Sequence, residues 1–399
     1  MKKGWEERTI GDFFTVTSSR RVMKSDWRTS GVPFYRTREI VRLKNIGSAN
    51  NELFISEEMY SEYARKYGVP TAGDLMVTGI GTLGVVYVVQ PEDCFYFKDA
   101  SILWLQKKHE IDSRFVAYAF ESDQLQSQIS DSPGATVGSY TVGKAQATRI
   151  PVPSLPEQRR IVAILDEAFE GIATAKANAE KNLRNANEVL ESRLQSLLSP
   201  DQAGCNHYTL DEIASVFGRG KSRHRPRNEP TLYGGPYPFI QTGDIRNADH
   251  VVTTFTQTYS DKGLAQSKLW PRGTVCITIA ANIAESAILG FDACFPDSVV
   301  GVIPIPQKAS AEFLEFLLQA FKRRLQAMGK GSAQDNINVG TFENQRFPFP
   351  SVEEQRKEVA ILTSVLSYSR LVADCVNKKI EALDELKASL LHQAFTGQL

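Results

Sequence analysis

The sequence predicts an α+β protein with a pseudo-twofold internal repeat, in which two similar globular domains are separated by a pair of long antiparallel coiled-coil helices. Three observations predict this. RIPVPSLPEQRRIVAIL at 149–165 returns as RFPFPSVEEQRKEVAIL at 346–362, displaced by 197 residues without a gap. Each copy runs into a stretch almost free of Gly and Pro whose apolar residues recur every three or four positions. Upstream of each copy, short β-rich runs alternate with turn residues, as in α+β domains.

The repeat continues upstream in the same order. Thr9-Ile10 faces Thr209-Leu210, VPFYRTREI (32–40) faces YPFIQTGDI (237–245), AGDLMVTGIGTLG (72–84) faces RGTVCITIAANIA (272–284), and SPGATVGSYTVGK (132–144) faces GKGSAQDNINVGT (329–341). The chain therefore divides into a globular domain at 1–148, a helical spacer and linker at 149–204, a second globular domain at 205–345 and a distal helical spacer at 346–399. Strands are expected at 75–78, 85–89, 102–105, 275–279 and 299–303, and one helix in each domain, at 113–130 and 311–328.

Each spacer opens with a proline, then Ser154 or Ser351 with Glu157 or Glu354 three residues on, the spacing of a capping box. The first seam takes in Ile161, Leu165, Ile172, Leu183 and Leu190, heptad-like at first and closer to an eleven-residue repeat later. The second takes in Leu362, Val365, Val376, Ile380, Leu383, Leu386 and Leu390. Helices of this kind are about 60 Å long and cannot hide a seam alone, so pairing with each other is the simplest solution.

Lys and Arg total 46 against 46 Asp and Glu, which argues against a generally basic nucleic-acid coat and leaves only local patches. Two exist, SSRRVMKSDWR at 18–28 and RGKSRHRPR at 219–227; taken singly, such a run is more often a solvated loop. The N-terminus lacks a signal-peptide pattern and no uninterrupted apolar run approaches 18 residues, so a cytoplasmic protein without a membrane span is expected. Five scattered cysteines without a C-x-x-C pair suggest neither a disulfide framework nor a zinc site.

Gly79, Gly81 and Gly84 spell G-x-G-x-x-G, but Val85 to Val89 follow, a strand sequence where a phosphate-binding loop must open a helix. The second copy replaces all three glycines by Ile279, Ala281 and Ala284. A strand-to-strand turn is the expectation, and a nucleotide-dependent enzyme rests on this motif alone. Asp99 and Asp297 match in the repeat, but an isolated Asp beside a strand is more often a turn residue. No catalytic or metal-binding constellation is present in the sequence.

The duplicated R-[IF]-P-x-P-S-x-x-E-Q-R stretches, the ending LLHQAFTGQL, the openings at Trp5–Phe13 and Tyr208–Ala214, and PFIQTGDI together resemble the specificity subunit of type I restriction–modification systems. The first copy departs from the pattern after its helix, where LESRLQSLLSP lacks the A-F-x-G ending. The resemblance implies two target recognition domains, each reading one half of a bipartite double-stranded DNA target, and helices that dock two adenine-N6 methyltransferase subunits. It further implies S-adenosylmethionine on the methyltransferase, and ATP and Mg on two motor-nuclease subunits of a restricting complex. This chain itself would hold no cofactor or metal and perform no bond chemistry. A coiled-coil scaffold without DNA specificity is the competing reading, against which the basic loops in both halves speak.

With that resemblance, the basic loops become phosphate-contact candidates: Arg20, Arg21 and Lys24 in the first half, and Arg219, Lys221, Arg223, Arg225 and Arg227 in the second. FYRTRE and FIQTGD supply Arg36, Arg38, Gln241 and Thr242, able to pair with guanine, adenine or phosphate and different between the halves. Thr78 beside the glycine turn, with Ser139, Tyr140, Lys144, Gln334, Asn336 and Asn338 in the Gly-rich segments before the spacers, complete the expected DNA-binding set.

Overall fold

The computed structural model describes every residue except 1, 3, 131–137, 200–204, 224–225, 227–228, 281–283 and 329–344, together with the side chains of 324–328. Arg225, Arg227, Gln334, Asn336 and Asn338 therefore lie outside the described residues. The chain forms two compact units, Met1–Ala179 with Lys378–Leu399, and Glu180–Asn377. The division falls inside both long helices, not at their starts.

In the first unit, β1 (Glu6–Thr9), α1 (Ile10–Phe13) and β2 (Phe14–Thr17) are followed by β3 (Val32–Tyr35), α2 (Thr37–Ile46), β4 (Phe54–Ile55) and α3 (Glu57–Tyr67). Then come β5 (Leu75–Thr78), β6 (Val86–Val88), β7 (Tyr96–Phe97), β8 (Ile102–Lys107), α4 (Ser113–Glu121), α5 (Asp123–Ser130), α6 (Val142–Ala147) and β9 (Arg149–Val152). β2-β8-β5-β6 form an antiparallel sheet, β4-β3-β7 a second sheet in which β3 and β7 run parallel, and β1 pairs with β9. Residues 155–179 of the long helix α7 (Leu155–Ser196) and 378–396 of the last helix, Val352–Thr396, complete the elements of this unit. Its core joins Phe14, Leu75, Leu105, Phe115 and Phe120 to Ile161 and Leu165 of α7 and to Leu391, Ala394 and Phe395 of the last helix.

The second unit repeats the plan with β10 (Asn206–Tyr208), β11 (Ala214–Arg219), β12 (Tyr233–Phe239), α8 (Thr242–Arg246), β13 (Val251–Val252), β14 (Gln257–Tyr259), α9 (Asp261–Ala265) and β15 (Leu269–Trp270). β16 (Val275–Thr278), β17 (Ser286–Leu289), β18 (Ala293–Cys294), β19 (Val299–Pro304), α10 (Ala311–Met328) and β20 (Phe347–Phe349) follow, and the last helix is α11 (Val352–Thr396). The sheets are β11-β19-β16-β17-β13, β14-β12-β18-β15 and the pair β10-β20. Leu190 and Leu194 of α7 and Leu362 of α11 enter a core with Val275, Phe313, Leu317 and Phe347. Burying each such side chain stabilises by about 1.5–3 kcal/mol, so the ends of both long helices belong to the globular cores.

Within each unit the two long helices run antiparallel. In the first, the Arg160 guanidinium donates to the Leu399 carbonyl at 2.7 Å and Lys176 pairs with Asp384. In the second, Ser369 donates to Asn187 at 2.9 Å and Arg193 pairs with Glu358. Among the expected seam residues, Ile161, Leu165, Ile172, Leu190, Leu362 and Val376 are buried. Leu183, Val365, Ile380, Leu383 and Leu390 are half-buried. Leu386 instead faces outward, 47% exposed. The α7 seam keeps a seven-residue step from Leu165 through Ile172 and Ala179 to Ala186. By length and composition α11 is apolar enough to cross a membrane, yet its charges are used on the protein: Glu358 on Arg193, Arg370 on Asp249 and Asp384 on Lys176.

The repeated Gln of the spacer motif has a structural role. Gln158 is buried, accepts from Asp112 N at 2.9 Å and donates to the Pro153 carbonyl at 2.9 Å. Gln355 accepts from Ser310 N at 3.0 Å and donates to the Lys308 and Pro350 carbonyls. Each glutamine thus pins the start of its globular-domain helix, α4 or α10, to a spacer helix. The capping box is complete in α11, where Ser351 N donates to Glu354 and Glu354 N to Ser351; at α7, Glu157 turns to Arg160 at 2.8 Å.

Two further expectations differ from the structure. The helix expected at 113–130 is broken into α4 and α5, because Ser122 adopts an extended conformation and turns its hydroxyl onto the Ala119 carbonyl; α10 runs unbroken. Thr78, placed with the DNA-binding residues, is fully buried: its hydroxyl bonds the Thr82 carbonyl and accepts from Val85 N at 2.9 Å, closing the turn between β5 and β6. Thr278 does the same for Glu285 N at 3.0 Å. The glycine motif is therefore a strand-to-strand turn, with Gly84 at φ +72° and its counterpart Ala284 at φ 63°.

Candidate nucleic-acid interface

In each unit, one parallel strand pair ends beside the loop that carries the basic run. β3 lies parallel to β7, with Phe34 opposite Tyr96 and Tyr35 opposite Phe97. The chain leaving β2 is clasped to the end of β7: Ser19 donates to the Phe97 carbonyl at 2.6 Å, Arg20 N to the Tyr96 hydroxyl at 3.0 Å, and Arg21 pairs with Asp99 at 3.0 Å. The Arg20 guanidinium lies over the Tyr67 ring, 4.7 Å from its centroid. Arg20, Arg21 and Lys24 are all exposed.

β12 lies parallel to β18, with Phe239 opposite Cys294. The chain leaving β11 is held in the same way: Gly220 N donates to the Val299 carbonyl at 2.9 Å and Lys221 N to the Phe295 carbonyl at 3.1 Å. A side chain at Gly220 would stand 2.2 Å from the Phe295 carbonyl oxygen, so only glycine lets this loop dock. Arg219, Lys221 and Arg223 are exposed, and Arg223 N is fixed by Gln266 at 2.5 Å. The loops, unlike in sequence, thus hold exposed cations at matching places.

One or two residues beyond each of these strands, β3 and β12, the chain caps a helix. Arg36 N donates to Glu39 at 2.9 Å, ahead of α2, and Gln241 N to Asp244 at 2.8 Å, ahead of α8. In the first unit the capping carboxylate is fully buried and also takes the guanidinium groups of Arg36 at 3.1 Å and Arg38 at 2.7 Å; Arg38 reaches on to Glu52 at 2.6 Å. Burial pushes the Glu39 carboxyl up, but the hydrogen bonds from Arg36 and Arg38 outweigh it and leave the group below its ordinary value. These arginines are therefore preorganised by acidic partners and are not free cations. In the second unit the same place carries neutral amides: Gln241 is exposed and donates to Gln257 at 2.7 Å, and Thr242 is half-buried.

Of the Gly-rich segment before the first spacer, Ser139 is exposed and Lys144 half-buried. Tyr140 is a core residue, not a surface contact: it is 1% exposed, its hydroxyl lies 2.7 Å from the Thr148 hydroxyl, and its N–H donates to the Gly79 carbonyl at 2.9 Å. No cluster of metal-ligating side chains occurs among the described residues.

Two units of one plan, alike in their helical parts and different in the side chains at matching positions, define a duplicated recognition protein. The chain belongs to the type I restriction modification DNA specificity domain family, whose model matches it twice, at residues 2–183 and 204–382. It is 27% identical to a putative type I restriction enzyme specificity subunit of Haemophilus influenzae over 191 residues, under half of either chain (45% and 46%). It is 20% identical to the putative MjaX specificity subunit of Methanocaldococcus jannaschii over 99% of this chain and 93% of that one. The fold is that of the HsdS subunit from Thermoanaerobacter tengcongensis, at TM-score 0.65, 18% identity and coverage of 100% and 98%. A chain from a structure of type I restriction–modification complex assembly matches at TM-score 0.76, 19% identity and coverage of 100% and 99%.

Proposed function

We propose that this specificity subunit reads a bipartite double-stranded DNA target, one half with each unit, and carries methyltransferase subunits on its long helices. The observation that supports this reading best is the matched construction at β3/β7 and β12/β18: exposed basic loops fixed beside a helix-capping residue that differs between the units. Phosphate contacts from Arg20, Arg21, Lys24, Arg219, Lys221 and Arg223 position the duplex, and Arg36, Arg38, Gln241 and Thr242 face base edges or phosphates. Two methyltransferase subunits supply S-adenosylmethionine and adenine-N6 chemistry, and two motor-nuclease subunits supply ATP- and Mg-dependent restriction. The chain contributes specificity and assembly in the cytoplasm, without catalysis of its own.

Copurification with an adenine methyltransferase, followed by base-resolved mapping of methylated adenines, tests the proposal. A two-part motif with a fixed spacer is expected. Methylation without sequence preference, from an intact assembly, would favour the scaffold reading.

A further inference from the structure

We infer that Gln241, held in place by Gln257, reads an adenine in the half-site of the second unit; this rests on the function proposed above. Gln241 stands at the carboxyl end of β12, beside β18 and the loop fixed through Lys221 N. Both glutamines are exposed, yet they are joined at 2.7 Å by one amide hydrogen of Gln241 donated to Oε1 of Gln257. Gln257 is placed for this by strand register, since it lies opposite Phe239 in the β12–β14 pair.

The neighbouring acid does not compete for that amide. Asp244 accepts from Gln241 N at 2.8 Å and from the Thr256 hydroxyl at 3.3 Å. Gln241 is left with its second amide hydrogen and its carbonyl oxygen, one donor and one acceptor on a fixed amide plane. Adenine offers the complement in the major groove, N7 as acceptor and N6–H as donor; guanine offers two acceptors and would face the Gln241 carbonyl with its own O6. Fixing the amide beforehand removes rotamer freedom that a lone surface glutamine loses on binding.

The first unit lacks the device. The residue opposite Phe34 is Leu53, whose carbonyl accepts from Phe34 N at 2.9 Å, and the capping residue there is Arg36. Gln257 is thus the residue that turns a helix cap into a base reader, and it acts as a positioning residue for Gln241.

The test is methylated-adenine mapping with the full chain assembled with its methyltransferase, comparing wild type, Gln257→Leu and Gln257→Glu. The wild-type half-site assigned to residues 205–345 contains an A·T pair whose discrimination falls about tenfold to a hundredfold in Gln257→Leu, with every other position and the first half-site unchanged. Gln257→Glu still accepts the amide hydrogen and keeps the adenine preference, at lower overall affinity. An unchanged motif in Gln257→Leu overturns the inference, as does equal relaxation at every position of the second half-site with the first intact. Loss of the first half-site as well marks a folding defect, and adenine preference kept in Gln257→Glu then decides for the inference, its loss against. A wild-type assembly without a two-part motif overturns the proposed function, and this inference with it.

Discussion

At the end of β3 the first unit carries Arg36, bound with Arg38 around the buried carboxylate of Glu39; at the end of β12 the second carries Gln241, bound to a neutral amide. Backbone, strand pairing and capping bond are the same in both places, while charge is not. The spacer ends of the units show the opposite behaviour. Leu165 and Leu362 are both fully buried, and Gln158 and Gln355 make the same bridge. Positions that join a core are held by packing, and a position held only by its backbone is free to change chemistry.

Substitutions in the two cores should be the most destabilising. Leu165→Ala and Leu362→Ala should each cost about 2–5 kcal/mol, read by urea unfolding with hydrogen exchange resolving the units; a cost under about 1 kcal/mol at either would break the equivalence. Glu39→Gln should cost about 3 kcal/mol in the first unit, because it strands part of a buried ion-pair group, whereas Asp244→Asn, at a half-buried cap of a short helix, should cost about 1 kcal/mol or less. The same contrast sets an acid response. The folded Glu39 carboxyl lies below its ordinary value of 4.5, so its stabilisation is complete above that pH and is lost as pH falls through the folded value. Hydrogen exchange followed as the pH is lowered below 4.5 should show the α2 region loosening in wild type, with no such step in Glu39→Gln.

Gln355 makes three bonds and Gln158 two, so Gln355→Ala should cost about 2–3 kcal/mol and Gln158→Ala somewhat less; the reverse order in thermal melts would contradict the clamp assignment. Lys221→Ala and Arg223→Ala should each lower the slope of log affinity against log salt by about 0.9 on duplex DNA. An unchanged slope in filter-binding titrations would remove them from the phosphate contacts.

The repeat, the spacer helices and the turn at GIGTLG were legible because each rests on local pattern: an ungapped match, a period of three and four, a valine run after glycines. The roles of Thr78 and Tyr140 were not. A Thr beside glycines and a Tyr in a polar Gly-rich segment look like surface residues until Thr82, Val85, Gly79 and Thr148 are brought against them. Gln158 was visible as a motif letter, but its partner Asp112 is 46 residues away. The sequence marks Arg36 and Arg38 as able to pair with guanine, adenine or phosphate; only the fold shows that Glu39, their neighbour in the chain, is buried and binds both.

On the function proposed above, each unit reads its own half of the target. Exchange of residues 1–148 for the matching segment of a relative with a different methylation motif, followed by methylated-adenine mapping of the assembled complex, tests it most directly. The expected result is a hybrid motif in which one half changes while the other half and the spacer length stay. Retention of the original motif, or change in both halves, would contradict it.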